Sequence, residues 1–173
     1  MPGPIFLEGE RLTLRPVRPE DYAFVARHFT NPWMRHGAFE DIHTPVTEEG
    51  VAARVEEADD FHMFLACRDE TPVGSAFLVD VDLEVHNAEL GYFITPDEQG
   101  NGYATEAANL CLTHAFDELG LHKVWARTVE DNDASKRVLE KLGFEREGIL
   151  REHRWGFGRY GDEHLFGLLE SER

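Results

Sequence analysis

The hexapeptide Gln99-Gly100-Asn101-Gly102-Tyr103-Ala104 joins an apolar, strand-like run, Leu90 to Thr95 closed by Pro96, to a long amphipathic segment that reads as a helix. Such a junction is built to hold an anion. Gly100 and Gly102 lack a Cβ, so the turn can take backbone angles closed to other residues and a ligand can come close to the main chain. The unpaired N–H groups of the first helical turn, together with the helix dipole, then face any negative group that arrives.

Spacing decides among the phosphate-binding loops of this kind. A Walker A loop needs Gly-Lys-Ser/Thr after four spacers, and no Lys stands near this segment. The dinucleotide fingerprint G-x-G-x-x-G/A, started at Gly100, requires Gly or Ala where the chain has Thr105. Gln99, Gly102 and Ala104 instead fit Gln/Arg-x-x-Gly-x-Gly/Ala, which resembles the pyrophosphate loop of the GNAT N-acetyltransferase superfamily. Downstream stretches extend the likeness: Gly102-Tyr103-Ala104-Thr105-Glu106-Ala107, then His114-Ala115-Phe116-Asp117-Glu118-Leu119-Gly120-Leu121, then Asn132 to Phe144. With the opening Glu10-Arg11-Leu12-Thr13-Leu14-Arg15-Pro16 and the strand Ala88-Glu89-Leu90-Gly91-Tyr92-Phe93, they resemble the RimJ/RimL-type branch, the protein N-terminal acetyltransferases and their relatives. The likeness runs from about residue 7 to about residue 169, and Arg27 to Glu57 matches poorly.

The chain has 173 residues, enough to bury one good core, and no linker or composition break divides it, so residues 1–173 read as a single domain. No apolar run approaches the ~20 residues of a membrane helix, and Met1-Pro2-Gly3-Pro4 lacks the regions of a signal peptide; the expected location is the cytoplasm. Cys67 and Cys111 stand singly in apolar segments and read as buried free thiols. Nine His form no helical His pair or Cys/His cluster, with His36, Glu40 and His43 the nearest approach, so no metal is expected.

Acids total 34 against 17 Lys and Arg, and only Lys123, Lys136 and Lys141 are Lys. Nucleic acid is a poor partner for such a surface. A large negative charge with few Lys fits the coat of a halophile's protein, since high salt screens the self-repulsion; part of the acidity can also draw in a cationic acceptor.

A coarse pass gives a strand from Arg11 to Pro16, a helix from Pro19 to Phe29 and a helix capped by Thr47 to Ala58. Strands follow at Phe61–Arg68, Pro72–Val81 and Ala88–Thr95, then a helix at Tyr103–Leu119 ended by Gly120. The remainder reads as a strand at His122–Thr128, a helix at Ala134–Leu142 and strands near Phe144–His153 and Glu163–Leu169. The order is α/β, and the resemblance implies the GNAT fold, a twisted, mostly antiparallel sheet of about seven strands flanked by about four helices.

The resemblance implies acetyl-CoA as co-substrate, its pyrophosphate on the amides of Gly100, Asn101, Gly102, Tyr103 and Ala104, with Gln99 at the head of the loop. It implies that the main chain of Phe93 and Ile94 binds pantetheine, where a GNAT strand splays from its neighbour and a nearby amide polarises the thioester carbonyl. An amine then attacks directly in a ternary complex. An α-amine of pKa ~7.7–8.0 is about 10% neutral at pH 7 whereas a Lys amine is below about 0.1%, so an N-terminal acceptor needs only a modest base. Glu89 is the candidate base, through a water; its structural alternative is a solvent-facing or salt-bridged strand residue. By resemblance Ser135 is the acid for the leaving thiolate and Asn132 contacts the cofactor, while plain helix capping accounts for the same Asn-x-x-Ser pattern. Lys136 and Arg137 read equally as phosphate partners or as a solvated helix face. Trp33, Met34, Phe39 and Trp155 lie where the family builds its acceptor groove, and core packing explains each as well.

The expected activity is acetyl-CoA-dependent N-acetylation of a primary amine, with a protein N-terminal α-amine of ribosomal-protein type favoured as acceptor. The alternatives are a small amine (polyamine, amino sugar or amino acid) or, in another class, an acyl-CoA sensor without turnover. A homodimer is left open.

Overall fold

The protein is described from a computed structural model covering residues 3–37 and 45–173, without the side chains of residues 35–37. Its frame is one eight-stranded sheet: β1 (Leu7–Glu8), β2 (Thr13–Pro16), β3 (His62–Arg68), β4 (Thr71–Asp82), β5 (Asn87–Ile94), β6 (Lys123–Val129), β7 (Glu145–Gly156) and β8 (Arg159–Leu169). They lie in the order β1-β2-β3-β4-β5-β6-β8-β7. All neighbours are antiparallel except β5 and β6, which run parallel. Among the described residues five α-helices cover the sheet: α1 (Tyr22–Phe29), α2 (Pro32–Gly37), α3 (Glu48–Glu57), α4 (Tyr103–Thr113) and α5 (Asp133–Lys141). The fold is the mixed α/β architecture expected, with β1 and α2 beyond the elements read from sequence. Among the described residues no helix is long and apolar enough to cross a membrane.

Strand alternation sorts the core into two layers. On β3, Phe64 and Ala66 join a cluster with Ala107, Ala108, Cys111 and Leu112 of α4 and Leu139 of α5. Met63, Leu65 and Cys67 point the other way, into a cluster with Val25, Ala26 and Phe29 of α1 and Val51 of α3. The central strands are apolar on both faces because both are covered. Cys67 and Cys111 are buried free thiols, and burial pushes both upward in pKa, Cys67 to about 11.

The local signals act where the sequence places them. Thr47 caps α3, its Oγ1 accepting the Gly50 N–H, and Asn132 caps α5, its Oδ1 accepting the Ser135 N–H. Helix α4 runs to Thr113 and continues as a π-helical turn, His114–Glu118, so the single helix expected to Leu119 changes pitch before Gly120 ends it.

Candidate active site

Strands β5 and β6 separate. Their register is Asn87 to Lys123, Ala88 to Val124 and Glu89 to Trp125, and it stops there, although β5 continues on β4 to Ile94. The edge of β5 beyond Glu89 therefore has no strand partner on the β6 side, leaving a slit in the sheet. Side chains enter the slit from opposite faces by simple alternation. Glu89 and Phe93 project toward the α1 and α3 layer, whereas Leu90, Tyr92 and Ile94 belong to the α4 and α5 layer. Gly91 lies between them because a Cβ there would meet the Phe77 ring at 2.2 Å.

The glycine loop closes one end of the slit. Gly100 and Gly102 both adopt φ of +80°, in the left-handed region that side chains disfavour. A Cβ on Gly100 would meet nothing within 4 Å, and one on Gly102 would meet only the Arg11 guanidinium, at 3.3 Å. The loop is thus an open cradle at the start of α4, with an Arg side chain at its wall, and it suits a pyrophosphate. Arg11 is fixed there by its Nη1 donating to the Asn101 carbonyl at 2.7 Å, by an ion pair with Glu106 at 2.9 Å and by stacking over the Tyr103 ring. Gln99 is exposed at the head of the loop, and its Nε2 donates to the Ile94 carbonyl at 3.1 Å and ties the loop to the end of β5. Ala104 packs against the α4 and α5 core.

On the α1 and α3 face, the Glu89 carboxylate is held by Arg127 of β6, whose Nε and Nη2 donate at 2.8 and 3.1 Å. The salt-bridged alternative for Glu89 is realised, at the spot where a base was expected. Burial raises the Glu89 carboxyl above the ordinary carboxylate range, Arg127 offsets part of that, and the charges of Asp80 and Glu163 add to the rise. Glu163 is itself buried and receives Arg154 at 3.1 Å, so two ion pairs stand side by side beneath the slit.

On the other face, the Ser135 hydroxyl meets Tyr92 Oη at 2.9 Å, and Tyr92 Oη also lies 3.3 Å from the Ser135 carbonyl. Burial pushes the Tyr92 phenol up to about 12. Sequence reading missed both Tyr92 and Arg127 as partners. For Tyr92 the signal was available in its alternation with Glu89. Tyr103 and Tyr160, by contrast, lie away from Ser135, under Arg11 and on the β7–β8 hairpin. Asn132 spends Oδ1 on capping, which leaves its amide NH₂ as a donor. Lys136 turns back onto the Glu130 carbonyl and Asp133, away from the cradle, while Arg137 is exposed.

A cavity of about 270 Å³ opens beside β6, lined by Trp33, Val129, Glu130, Asp131, Arg154 and Phe157 among others. Trp33 and Phe157 stack at 5.6 Å, and Arg159 bridges Glu130 and Asp131. Trp155 instead faces solvent against Tyr160. Phe39, Glu40 and His43, and the side chain of His36, lie outside the described residues.

Residues 11–145 match the family model of the acetyltransferase (GNAT) domain. The chain belongs to the GNAT acetyltransferases. It is an acetyl-CoA-dependent N-acetyltransferase in this class. The uncharacterised N-acetyltransferase p20 of Bacillus licheniformis is 29% identical, over 96% of this chain and 97% of its own. Among solved structures, spermidine N-acetyltransferase from Vibrio cholerae in complex with CoA and spermine superposes with a TM-score of 0.86 at 24% identity, covering 95% of this chain and 98% of that one. RimL, the ribosomal L7/L12 α-N-protein acetyltransferase, in complex with CoA, gives 0.84 at 17% identity, covering 96% and 98%. The last two are likenesses of fold.

Proposed function

We propose that this GNAT acetyltransferase, acting as one domain over residues 1–173, moves the acetyl group from acetyl-CoA to a protein N-terminal α-amine by direct attack in the slit between β5 and β6. The observation that carries the reading is the placing of Glu89 with Arg127 on one face of the slit and Tyr92 with Ser135 on the other. An amine entering from the α1 and α3 side meets a carboxylate, and the leaving sulfur meets a hydroxyl.

The loop from Gly100 to Ala104 binds the pyrophosphate, and the unpaired edge of β5 at Phe93 and Ile94 holds the pantetheine arm. Asn132 contributes its amide NH₂ to the cofactor. Glu89, through a water, takes the proton the amine must lose, and the attack forms a C–N bond at the thioester carbon. When the C–S bond breaks, its electron pair goes to sulfur, Ser135 gives that sulfur its proton and the Tyr92 proton replaces it on Oγ; Glu89 then releases its proton to solvent and Tyr92 takes one back from solvent, which restores both groups. Phenol behind an alcohol makes the pair a better acid than serine alone. A carboxylate already held by Arg127 is a modest base, which suits an α-amine about 10% neutral at pH 7 better than a Lys side chain.

A small amine is the second reading, supported by the likeness to spermidine N-acetyltransferase, although Glu130 and Asp131 beside the Trp33–Phe157 pair are themselves bridged by Arg159. Vibrio cholerae spermidine N-acetyltransferase and RimL represent the two acceptor classes among the structural neighbours. Intact-mass spectrometry of ribosomal proteins, free-N-terminus peptides, polyamines, amino sugars and amino acids after incubation with acetyl-CoA separates them. Acetylated protein or peptide N-termini support the proposal; acetylation of small amines alone replaces it with the second reading; no thiol release with any acceptor assigns a sensor.

A further inference from the structure

The turn between β7 and β8 carries a residue poorly suited to its shape. Gly156 pairs with Arg159, so the turn has two residues, Phe157 and Gly158, and both take positive φ, 52° and 79°. Such turns prefer Asn, Asp or Gly at the first position, because a bulky side chain is strained in the left-handed region. Burial does not account for the Phe. Its ring is 56% exposed, and Trp33 of α2, whose ring lies 5.6 Å away, is 46% exposed. Backbone strain that packing does not need collects at ligand clamps.

Both rings line the cavity of about 270 Å³ beside β6. That cavity lies on the same face of the sheet as Glu89. Trp125 is the register partner of Glu89, Arg127 holds the Glu89 carboxylate, and alternation puts Val129, a lining residue, on the face of β6 that carries both. At ~3.3 Å per residue, Val129 lies ~7 Å beyond Arg127 and ~13 Å beyond Trp125, the span of about two to four residues of extended chain. The charged lining residues are already in ion pairs, Arg154 with Glu163 and Arg159 with Glu130 and Asp131. What the cavity offers an incoming group is therefore apolar: two aromatic rings and Val129.

We propose that this cavity is a specificity pocket for the acceptor, in which Trp33 and Phe157 clamp an apolar side chain from one of the first four residues behind the reacting amine. The inference rests on the reading of the slit as the place where an N-terminal α-amine is acetylated, and it names the preferred acceptors: N-termini with Leu or Phe, rather than Ser, Asp or Lys, at the clamped position.

The test measures kcat/KM for free-N-terminus peptides carrying Leu, Phe, Ser, Asp or Lys at each of the first four positions in turn, with wild type, Phe157→Asn and Trp33→Ala. Asn suits the turn better than Phe, so Phe157→Asn removes the ring without loss of thermal stability. At one position Leu and Phe should exceed Ser, Asp and Lys by at least about tenfold, and both substitutions should abolish that preference with KM for acetyl-CoA little changed. Calorimetric titration of the CoA-loaded enzyme with the acetylated forms of the same peptides reads the pocket without the chemistry. Selective binding of the apolar peptides, lost in both variants, supports the pocket even where no peptide is acetylated, and that combination removes the α-amine as acceptor. Transfer with no preference at any position, or a preference that survives both substitutions, overturns the pocket and leaves the acceptor class standing. Neither transfer nor selective binding overturns both.

Discussion

Tyr92 Oη lies 2.9 Å from Ser135 Oγ, joining a residue of β5 to the first turn of α5 across the gap that β6 leaves open. One consequence is that Ser135 does not act alone. If its hydroxyl protonates the leaving sulfur, Ser135→Ala should lower kcat by about 10²–10⁴-fold with acetyl-CoA binding little changed. Tyr92→Phe removes a single hydrogen bond and should lower kcat about tenfold, again with KM for acetyl-CoA nearly constant. Steady-state kinetics on the folded variants check both; full activity in both would give the leaving thiolate to water.

Gly102 carries the cradle. At φ of +80° a side chain is strained, and a Cβ here meets the Arg11 guanidinium at 3.3 Å, at the turn where the proposed function puts the pyrophosphate. Gly102→Val should raise the acetyl-CoA dissociation constant at least about tenfold, roughly 1.4 kcal/mol. Calorimetric titration of a folded variant with unchanged affinity would remove the pyrophosphate from this loop.

Much of this was legible because local chemistry agrees with the fold. The glycines Gly100 and Gly102 and the caps Thr47 and Asn132 each act where the sequence places them. What escaped was short or non-local. β1 has two residues, too few for a period, and α2 is a six-residue helix within the segment that matches the family least. The β7–β8 hairpin is longer than expected because Phe157 and Gly158 both take positive φ, 52° and 79°, a two-residue turn in which Phe is an unusual first member. Arg127 could be read as an exposed strand residue until β6 was laid beside β5, and only that neighbour gives it to Glu89.

His62 and His114 predict an acid limit to stability. Glu118 accepts from His114 Nδ1 at 2.6 Å, so His114 Nε2 is left to accept from His62 Nδ1 at 3.1 Å. Burial first, and His114 second, hold His62 below its ordinary value. The unfolded chain therefore binds more protons in this range: the contribution is present above about pH 6.5 and is lost as pH falls through the folded-state value. Denaturant midpoints from pH 8 to pH 5 should fall, and His62→Gln should flatten the slope; a parallel slope in the variant would assign it to other groups.

The acidic surface makes a further prediction. With a formal net charge of −17, screening should relieve repulsion among carboxylates, so the melting temperature should climb from dilute to molar KCl. A flat or falling curve would contradict a high-salt coat and favour local steering of a cationic acceptor.

Glu89 carries the central claim, that a carboxylate in the slit deprotonates an incoming α-amine. Glu89→Gln keeps the shape of the side chain and an acceptor for Arg127 while deleting the base. The measurement is kcat with a peptide acceptor from pH 7 to about pH 10, wild type against Glu89→Gln, with folding confirmed at each pH. The account predicts a deficit of about 10²–10⁴-fold near pH 7 that shrinks as pH passes the acceptor's own pKa of ~7.7–8.0, where the amine arrives neutral. A deficit that stays constant across the range would contradict it and leave Glu89 a positioning residue.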